Sequence, residues 1–265
     1  NTVMAGAVRM VSVSLGEDPR DFAMLAFGGA GPLHAGAIAR ELGIPRLVVP
    51  ARPGVVNALG CVVADLRHDF VNTLNRPLDL VDVAEVHRIL AGQVAEGRRL
   101  IGKETVAVAE IREQLSVDMQ FVGQTHLVRV ALPNATPTRE ALRRLFDEAY
   151  FRRFRVELPT TPVNLVNLNA SVIGVREEID LSALIDPAGR AATLEGALAG
   201  RRPVWFESGW RETPVYARER LPADAAFEGP AVLEQMDATT VVDPGDRVST
   251  DADGNLHVHL APPAA

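Results

Sequence analysis

The first seventy residues alternate between helical and strand-like hydrophobic patterns. Apolar side chains between Val3 and Ser14 recur at helical spacing. Residues 22–27 form a continuous apolar run, which is typical of a strand buried on both faces. A helix is predicted over 32–42, a second strand over 46–50, and a largely apolar, buried helix from Pro53 to 63. This order predicts parallel strands joined by crossover helices.

Beyond residue 70 the pattern changes to mixed helices and antiparallel strands. Asp82, with Glu85 three positions on, predicts the start of an amphipathic helix. A strand pair over 111–132, a helix from Thr136 and an alternating strand over 163–175 follow. We therefore expect an α/β part followed by an α+β part, with a boundary near residue 70.

The remaining chain predicts a loop and then short strands. Residues 181–202 are rich in Ala, Gly and Leu, which favours a loop or a sub-boundary there. After Pro203, short apolar segments alternate with turn signals, and strands are predicted at 204–206, 214–216, 231–233, 239–242, 247–250 and 256–260.

Composition narrows the class of protein. The chain has 265 residues, of which 47% are hydrophobic and 23% charged, as in ordinary globular proteins. The net charge of -7 argues against a nucleic-acid binder, and no apolar run reaches the roughly 18 residues of a membrane-spanning helix. Cys61 is the single cysteine, which excludes a disulfide framework and favours the cytoplasm. Its apolar surroundings predict a buried side chain.

A glycine-rich segment carries the clearest candidate chemistry. Gly28, Gly29 and Gly31 follow the first predicted strand and precede a predicted helix. Glycines there let a ligand approach the backbone, and a helix N-terminus attracts phosphate. A tight turn without a ligand explains the spacing equally well, because the segment is neither a Walker A loop nor a spaced dinucleotide fingerprint.

The segment also resembles the glycine motif of the hydantoinase A / oxoprolinase family. The resemblance continues through 57–60, 64–70, 118–125, 229–232 and 239–245, in the family's order and over nearly the whole chain. One departure is Gln120, where the family usually has Arg.

Several expectations follow from this resemblance. It implies that residues 1–70 are the last part of the second lobe of an actin-like ATPase domain and 71–265 the family's mixed α+β C-terminal domain. It implies binding of ATP with Mg, with Gly28, Gly29 and Gly31 contacting the nucleotide and His34 near the same site. It also implies a small cyclic-amide substrate and a B-type partner subunit or a second copy of the chain.

The resemblance leaves the reaction open between three alternatives. Opening of a cyclic amide is the first, carboxylation of a ketone by a related carboxylase subunit is the second, and a non-catalytic assembly module is the third. The Asp-x-Gly-Gly-Thr phosphate loop of such ATPases does not occur in these residues. We therefore expect the chain to be a C-terminal fragment that does not hydrolyse ATP alone.

Two histidine-containing segments are further candidates. Asp65, His68 and Asp69 form a weak catalytic candidate, although a solvated helix end explains them better. His257 and His259 share one face of a predicted edge strand and make a poor metal site without a third ligand. No metal site is predicted in this chain.

Overall fold

The chain folds into two compact units. The computed structural model describes residues 1–180 and 189–262. The first unit combines Asn1–Val62 with Ile179–Ala265, and the second consists of Val63–Glu178. The predicted family boundary at residue 70 stays a prediction, because the two units are defined by packing alone.

The first unit is built from both ends of the chain. Its helices and strands are α1 Thr2–Leu15, β1 Ala23–Leu25, α2 Gly31–Leu42, β2 Arg46–Val49, α3 Val56–Val63, β7 Leu198–Phe206, β8 Gly209–Ala217, β9 Ala226–Glu228, β10 Ala231–Glu234, β11 Thr239–Val242, β12 Arg247–Thr250 and β13 Leu256–His259. Helix α3 lies where the chain passes into the second unit.

Two sheets and α2 enclose the core of the first unit. One sheet has the order β1-β2-β13-β12-β9, with β1 parallel to β2 as predicted and the other pairs antiparallel. The other sheet has the order β11-β10-β8-β7. Helix α2 contributes Ile38, Ala39 and Leu42 to the core, where they meet Val49 and Val242 from the two sheets.

The second unit is an antiparallel sheet with two helices. Its elements are β3 Leu66–Pro77, α4 Val83–Ile101, β4 Glu110–Phe121, β5 Val128–Leu132, α5 Arg139–Phe154 and β6 Val163–Val175, and its strand order is β3-β6-β4-β5. The side chain of Asp82 caps α4, as predicted, by accepting a hydrogen bond from the Ala84 N–H at 3.0 Å. Phe121, Phe146 and Tyr150 pack edge to face or tilted in its core.

The predicted burial of two elements is wrong for this chain. Leu25 of β1 is 54% exposed and Val62 of α3 is 53% exposed, and α3 has no fully buried residue. Cys61 on α3 is likewise exposed rather than buried. Strand β1 pairs only with β2 among the described strands, so it is an edge strand.

Three predictions of local structure need correction. His257 and His259 do share a face, but β13 lies between β2 and β12 rather than at an edge. Asp69 lies within strand β3 and not at a helix end. In the predicted loop over 181–202, residues 181–188 lie outside the described residues, whereas Leu198–Phe206 is a strand.

Candidate functional site

The glycine loop, residues 28–31, connects the carboxyl end of β1 to the first turn of α2. Gly28 adopts φ 87°, a left-handed conformation that favours glycine. Its N–H donates to the Pro53 carbonyl at 2.7 Å, which ties the glycine loop to the turn that follows β2. The carboxyl ends of two parallel strands therefore meet here, which is where open α/β sheets bind ligands.

The backbone donors of the glycine loop are available to a ligand. The N–H groups of Gly29 and Ala30 make no hydrogen bond to any residue that the structure describes. They precede Gly31, the first residue of α2, so the positive end of the helix dipole lies at the same place. This arrangement suits an anionic group such as a phosphate.

The turn that follows β2 and the turn that contains Asp237 both contact the glycine loop. A Cβ added to Gly29 would lie 3.2 Å from the Asp237 carbonyl oxygen, and one added to Gly54 would lie 2.8 Å from the Asp237 Cβ. Asp237 belongs to the turn between β10 and β11. By contrast, a Cβ on Gly31 would meet nothing nearer than 4.0 Å. The side of the glycine loop at Gly31 is therefore open.

An ion-pair cluster holds α2 in position. The Arg40 Nη2 lies 2.6 Å from Asp246, which is nearly fully buried, and Nη1 contacts Asp243. Burial raises the pKa of Asp243 above its ordinary value, although the Arg40 guanidinium acts against that rise. The Asp246 carboxylate also accepts the Ala261 N–H at 2.8 Å. The helix that follows the glycine loop is thereby attached to the strands of both sheets.

The residues predicted to contact a nucleotide lie together. Gly28, Gly29 and Gly31 form the glycine loop, and His34 is half-buried one turn into α2. Their role in binding stays a prediction.

Asp65, His68 and Asp69 belong to the second unit, at and within the first half of β3. The Asp69 carboxylate accepts from the Arg67 Nε at 2.9 Å and from the Ser171 hydroxyl, and Arg67 followed by Ser171 lowers its pKa. His68 and Asp69 point to opposite faces of the strand, so they do not form a carboxylate–imidazole pair. The catalytic role of these three residues remains a prediction.

Two other kinds of feature, a metal-binding cluster and a membrane-spanning helix, are absent from the part of the chain that the structure describes. Within residues 1–180 and 189–262, no three His, Cys, Asp or Glu side chains lie close enough together to hold a metal ion. No helix in the same ranges is long and apolar enough to cross a membrane.

Comparison with known protein families shows to which family the chain belongs. Residues 1–70 match the family model described as hydantoinase/oxoprolinase, and residues 82–261 match the model of the hydantoinase/oxoprolinase C-terminal domain. The chain belongs to the hydantoinase/oxoprolinase family. The family resemblance seen in the sequence is therefore confirmed.

Individual members of the family are similar along almost the whole chain. The chain is 33% identical over 261 residues to an uncharacterised protein of Methanocaldococcus jannaschii, with 97% of the chain and 36% of that protein covered. It is 32% identical over 259 residues to the caprolactamase subunit alpha of Pseudomonas jessenii, with 95% and 37% covered. It is 27% identical over 275 residues to the acetophenone carboxylase gamma subunit of Aromatoleum aromaticum, with 98% and 37% covered. The chain thus spans little more than a third of the length of these relatives.

Two solved structures share the fold. The ATP-dependent caprolactamase of Pseudomonas jessenii superposes with a TM-score of 0.74 at 29% identity, over 98% of this chain and 38% of that one. A nucleotide-free acetone carboxylase gives 0.72 at 21% identity, over 98% and 38%, which supports the fold alone. The mixed α/β class with several sheets is confirmed.

The sequence did not indicate Gly54 or Asp237 as parts of the region around the glycine loop. Gly54 and Asp237 meet only because β2 and β10 belong to the same unit, and they are far apart in sequence. The Pro53-Gly54 pair and the turn between two short strands were the only local signals of these positions.

Proposed function

We propose that the glycine loop contacts the nucleotide of an ATP-dependent enzyme of which this chain is the C-terminal portion. The observation that carries the proposal is that the N–H groups of Gly29 and Ala30, in front of α2, have no hydrogen-bond partner among the described residues. Backbone donors at a helix N-terminus bind phosphate or ribose oxygens without a lysine. This suits a chain with Lys103 as its single lysine.

On this proposal, residues 1–70 are the last part of the second lobe of an actin-like ATPase domain. The phosphate loop and the groups that hold Mg belong to residues outside this sequence. ATP supplies the activating phosphoryl group. The residues of this chain bind and orient the nucleotide through the backbone of the glycine loop, with His34 beside it on α2.

The reaction that we propose for the whole protein is ATP-dependent hydrolysis of a cyclic amide. The 32% identity to a caprolactamase subunit supports this reaction. The alternative is ATP-dependent carboxylation of a ketone, which the 27% identity to an acetophenone carboxylase subunit favours. A non-catalytic assembly module is the third possibility. Binding of a partner subunit with an affinity that ATP does not change would indicate it.

The names of the relatives also suggest partners. Since these relatives are named as alpha and gamma subunits, we propose that the whole protein works with a B-type subunit or a second copy of itself. The single cysteine of the chain supports our proposal that it does so in the cytoplasm.

The test substitutes Gly31→Ala in the full-length protein assembled with its partner. A methyl group at Gly31 makes only an ordinary contact, 4.0 Å from the Ala26 carbonyl carbon, so the fold tolerates it, whereas a nucleotide close to the backbone does not. We expect the KM for ATP to rise about tenfold, which corresponds to about 1.4 kcal/mol of lost binding. Gly6→Ala on α1, where a Cβ meets no protein atom within 4 Å, is the matched control.

Release of ADP is scored with hydantoins, oxoproline, caprolactam and ketones as candidate substrates. Turnover with a cyclic amide supports the proposed reaction, and turnover only with a ketone and bicarbonate supports the carboxylase. An unchanged KM for ATP in Gly31→Ala would refute the nucleotide contact.

A further inference from the structure

We propose that the first unit contains a second binding pocket, built around buried Arg218, for a small oxyanion that carries a hydroxyl group, such as hydrogen phosphate or bicarbonate. A cavity of about 200 Å³ lies in this unit, lined by residues that include Ala51, Arg52, Arg190, Arg218 and Gln235. Its lining residues Ala51 and Arg52 lie in the segment that directly follows β2. This inference does not rest on the nucleotide-binding role of the glycine loop.

Arg218 is the central observation. It is only 6% exposed, and its Nη2 donates to the carbonyl oxygens of Val49 at 2.8 Å and Pro50 at 2.5 Å. Its Nε and Nη1 are buried without a hydrogen-bond partner among the described residues. Buried donors of a charged group are costly to leave unpaired. The one hydrogen on Nε and the two on Nη1 therefore have no acceptor among the described residues, and a ligand could accept hydrogen bonds from them.

Among the described residues, the charge of Arg218 also has no ion-pair partner, although the carboxylates of Glu219 and Asp237 favour its charged form from a greater distance. Burial lowers the pKa of its guanidinium to about 10, because the charged form is poorly solvated there. No carboxylate that the structure describes lies within ion-pair distance of it, and Glu219, which lines the cavity, lies 3.8 Å from Arg52. Three arginines line the cavity against two carboxylates, Glu219 and Asp253. A bound anion would supply the missing charge.

Gln235 is the reason that the ligand should carry a hydroxyl group. Its Nε2 donates to the Ala51 carbonyl at 2.9 Å, which orients the side-chain amide. The Oε1 is consequently an acceptor, and it is buried without a described partner. An oxyanion with a hydroxyl group satisfies both residues, because its oxygens accept from Arg218 and its O–H donates to Gln235. Sulfate and acetate have no such hydrogen at neutral pH.

Isothermal titration calorimetry of the 265-residue chain tests this pocket, with phosphate, bicarbonate, sulfate and acetate as separate titrants at constant ionic strength. We expect saturable binding of phosphate or bicarbonate, at least about tenfold tighter than sulfate or acetate. The titration also distinguishes the two hydroxyl-bearing anions. Arg218→Met should abolish binding, whereas Arg211→Met, an exposed arginine on β8, should leave it unchanged.

Gln235→Met is the second variant, because Arg218→Met also removes the hydrogen bonds to β2 and could unfold the unit. Gln235→Met should bind phosphate and sulfate equally, since it keeps the cation and lacks the acceptor. Circular dichroism verifies that each variant is folded. Absence of saturable binding at millimolar phosphate and bicarbonate, sulfate binding equal to phosphate in the unsubstituted chain, or undiminished binding in folded Arg218→Met would each overturn the proposal.

Discussion

Gly97 gives a quantitative test of the packing in the second unit. It lies on α4 against the sheet, where a Cβ would come within 2.5 Å of the Val172 Cβ and 3.1 Å of the Phe70 ring. Val172 is fully buried on β6, a central strand, so it cannot move aside. On the same helix, a Cβ on exposed Gly92 would meet no atom within 4 Å.

The two glycines therefore predict opposite effects of alanine. Gly92→Ala should stabilise the protein by about 1 kcal/mol, because alanine favours the helix. Gly97→Ala has the same helical gain but an overpacking cost of about 3 kcal/mol, at the upper end of the usual range because the neighbour is rigid. A net loss of about 2 kcal/mol follows. Urea unfolding monitored by circular dichroism measures both, and hydrogen exchange of β6 locates the change.

A double-mutant cycle separates overpacking from other causes. Val172→Ala alone should cost about 2 kcal/mol by leaving a cavity. In Gly97→Ala/Val172→Ala the new methyl group occupies that cavity, so the combined cost should be smaller than the sum by at least about 1 kcal/mol. If Gly97→Ala is as stable as Gly92→Ala, or if the two costs simply add, the contact between α4 and β6 is not the one described.

Two further predictions concern Asp118 and Cys61. Burial raises the pKa of Asp118, but hydrogen bonds from Arg129 and Asn167 outweigh this effect and hold that pKa below the ordinary value of 3.8. The ionised Asp118 therefore stabilises the folded state fully above pH 3.8. This stabilisation is lost as the pH falls through the folded-state pKa. Arg129→Met should cost about 1 kcal/mol at neutral pH, because Arg129 is 68% exposed, and should move acid unfolding to higher pH; an unshifted acid transition would contradict this. Exposed Cys61 should react fully with Ellman's reagent without denaturant, and a requirement for urea would show that it is buried.

Local sequence patterns were sufficient for most of the elements. The N-cap at Asp82, the strand pair 111–132 and the helix from 32 to 42 depend on neighbouring residues, and all three are present. Strand β3 was missed because its apolar positions are interrupted by charged residues such as Arg67 and Asp69. The short edge strand β9 has only three residues and carries no periodic signal.

The candidate site was predictable only in part. The glycine loop is contiguous, so its residues identify it. The turns that press against it come from elsewhere in the chain: Gly54 follows β2, and Asp237 follows β10. No pattern within a short window can report that two such segments meet.

The sequence by itself determined the family of this protein, the order of most of its elements and the position of the glycine loop, because each depends on residues close together in the chain. The tertiary structure alone decided which apolar faces are covered, that His257 lies on a central strand, and that Arg218 is buried at the end of β2. Burial and charge pairing depend on which distant segments pack together. In the first unit, the sheet β1-β2-β13-β12-β9 combines strands from both ends of the chain, so no short window of sequence reports its contacts.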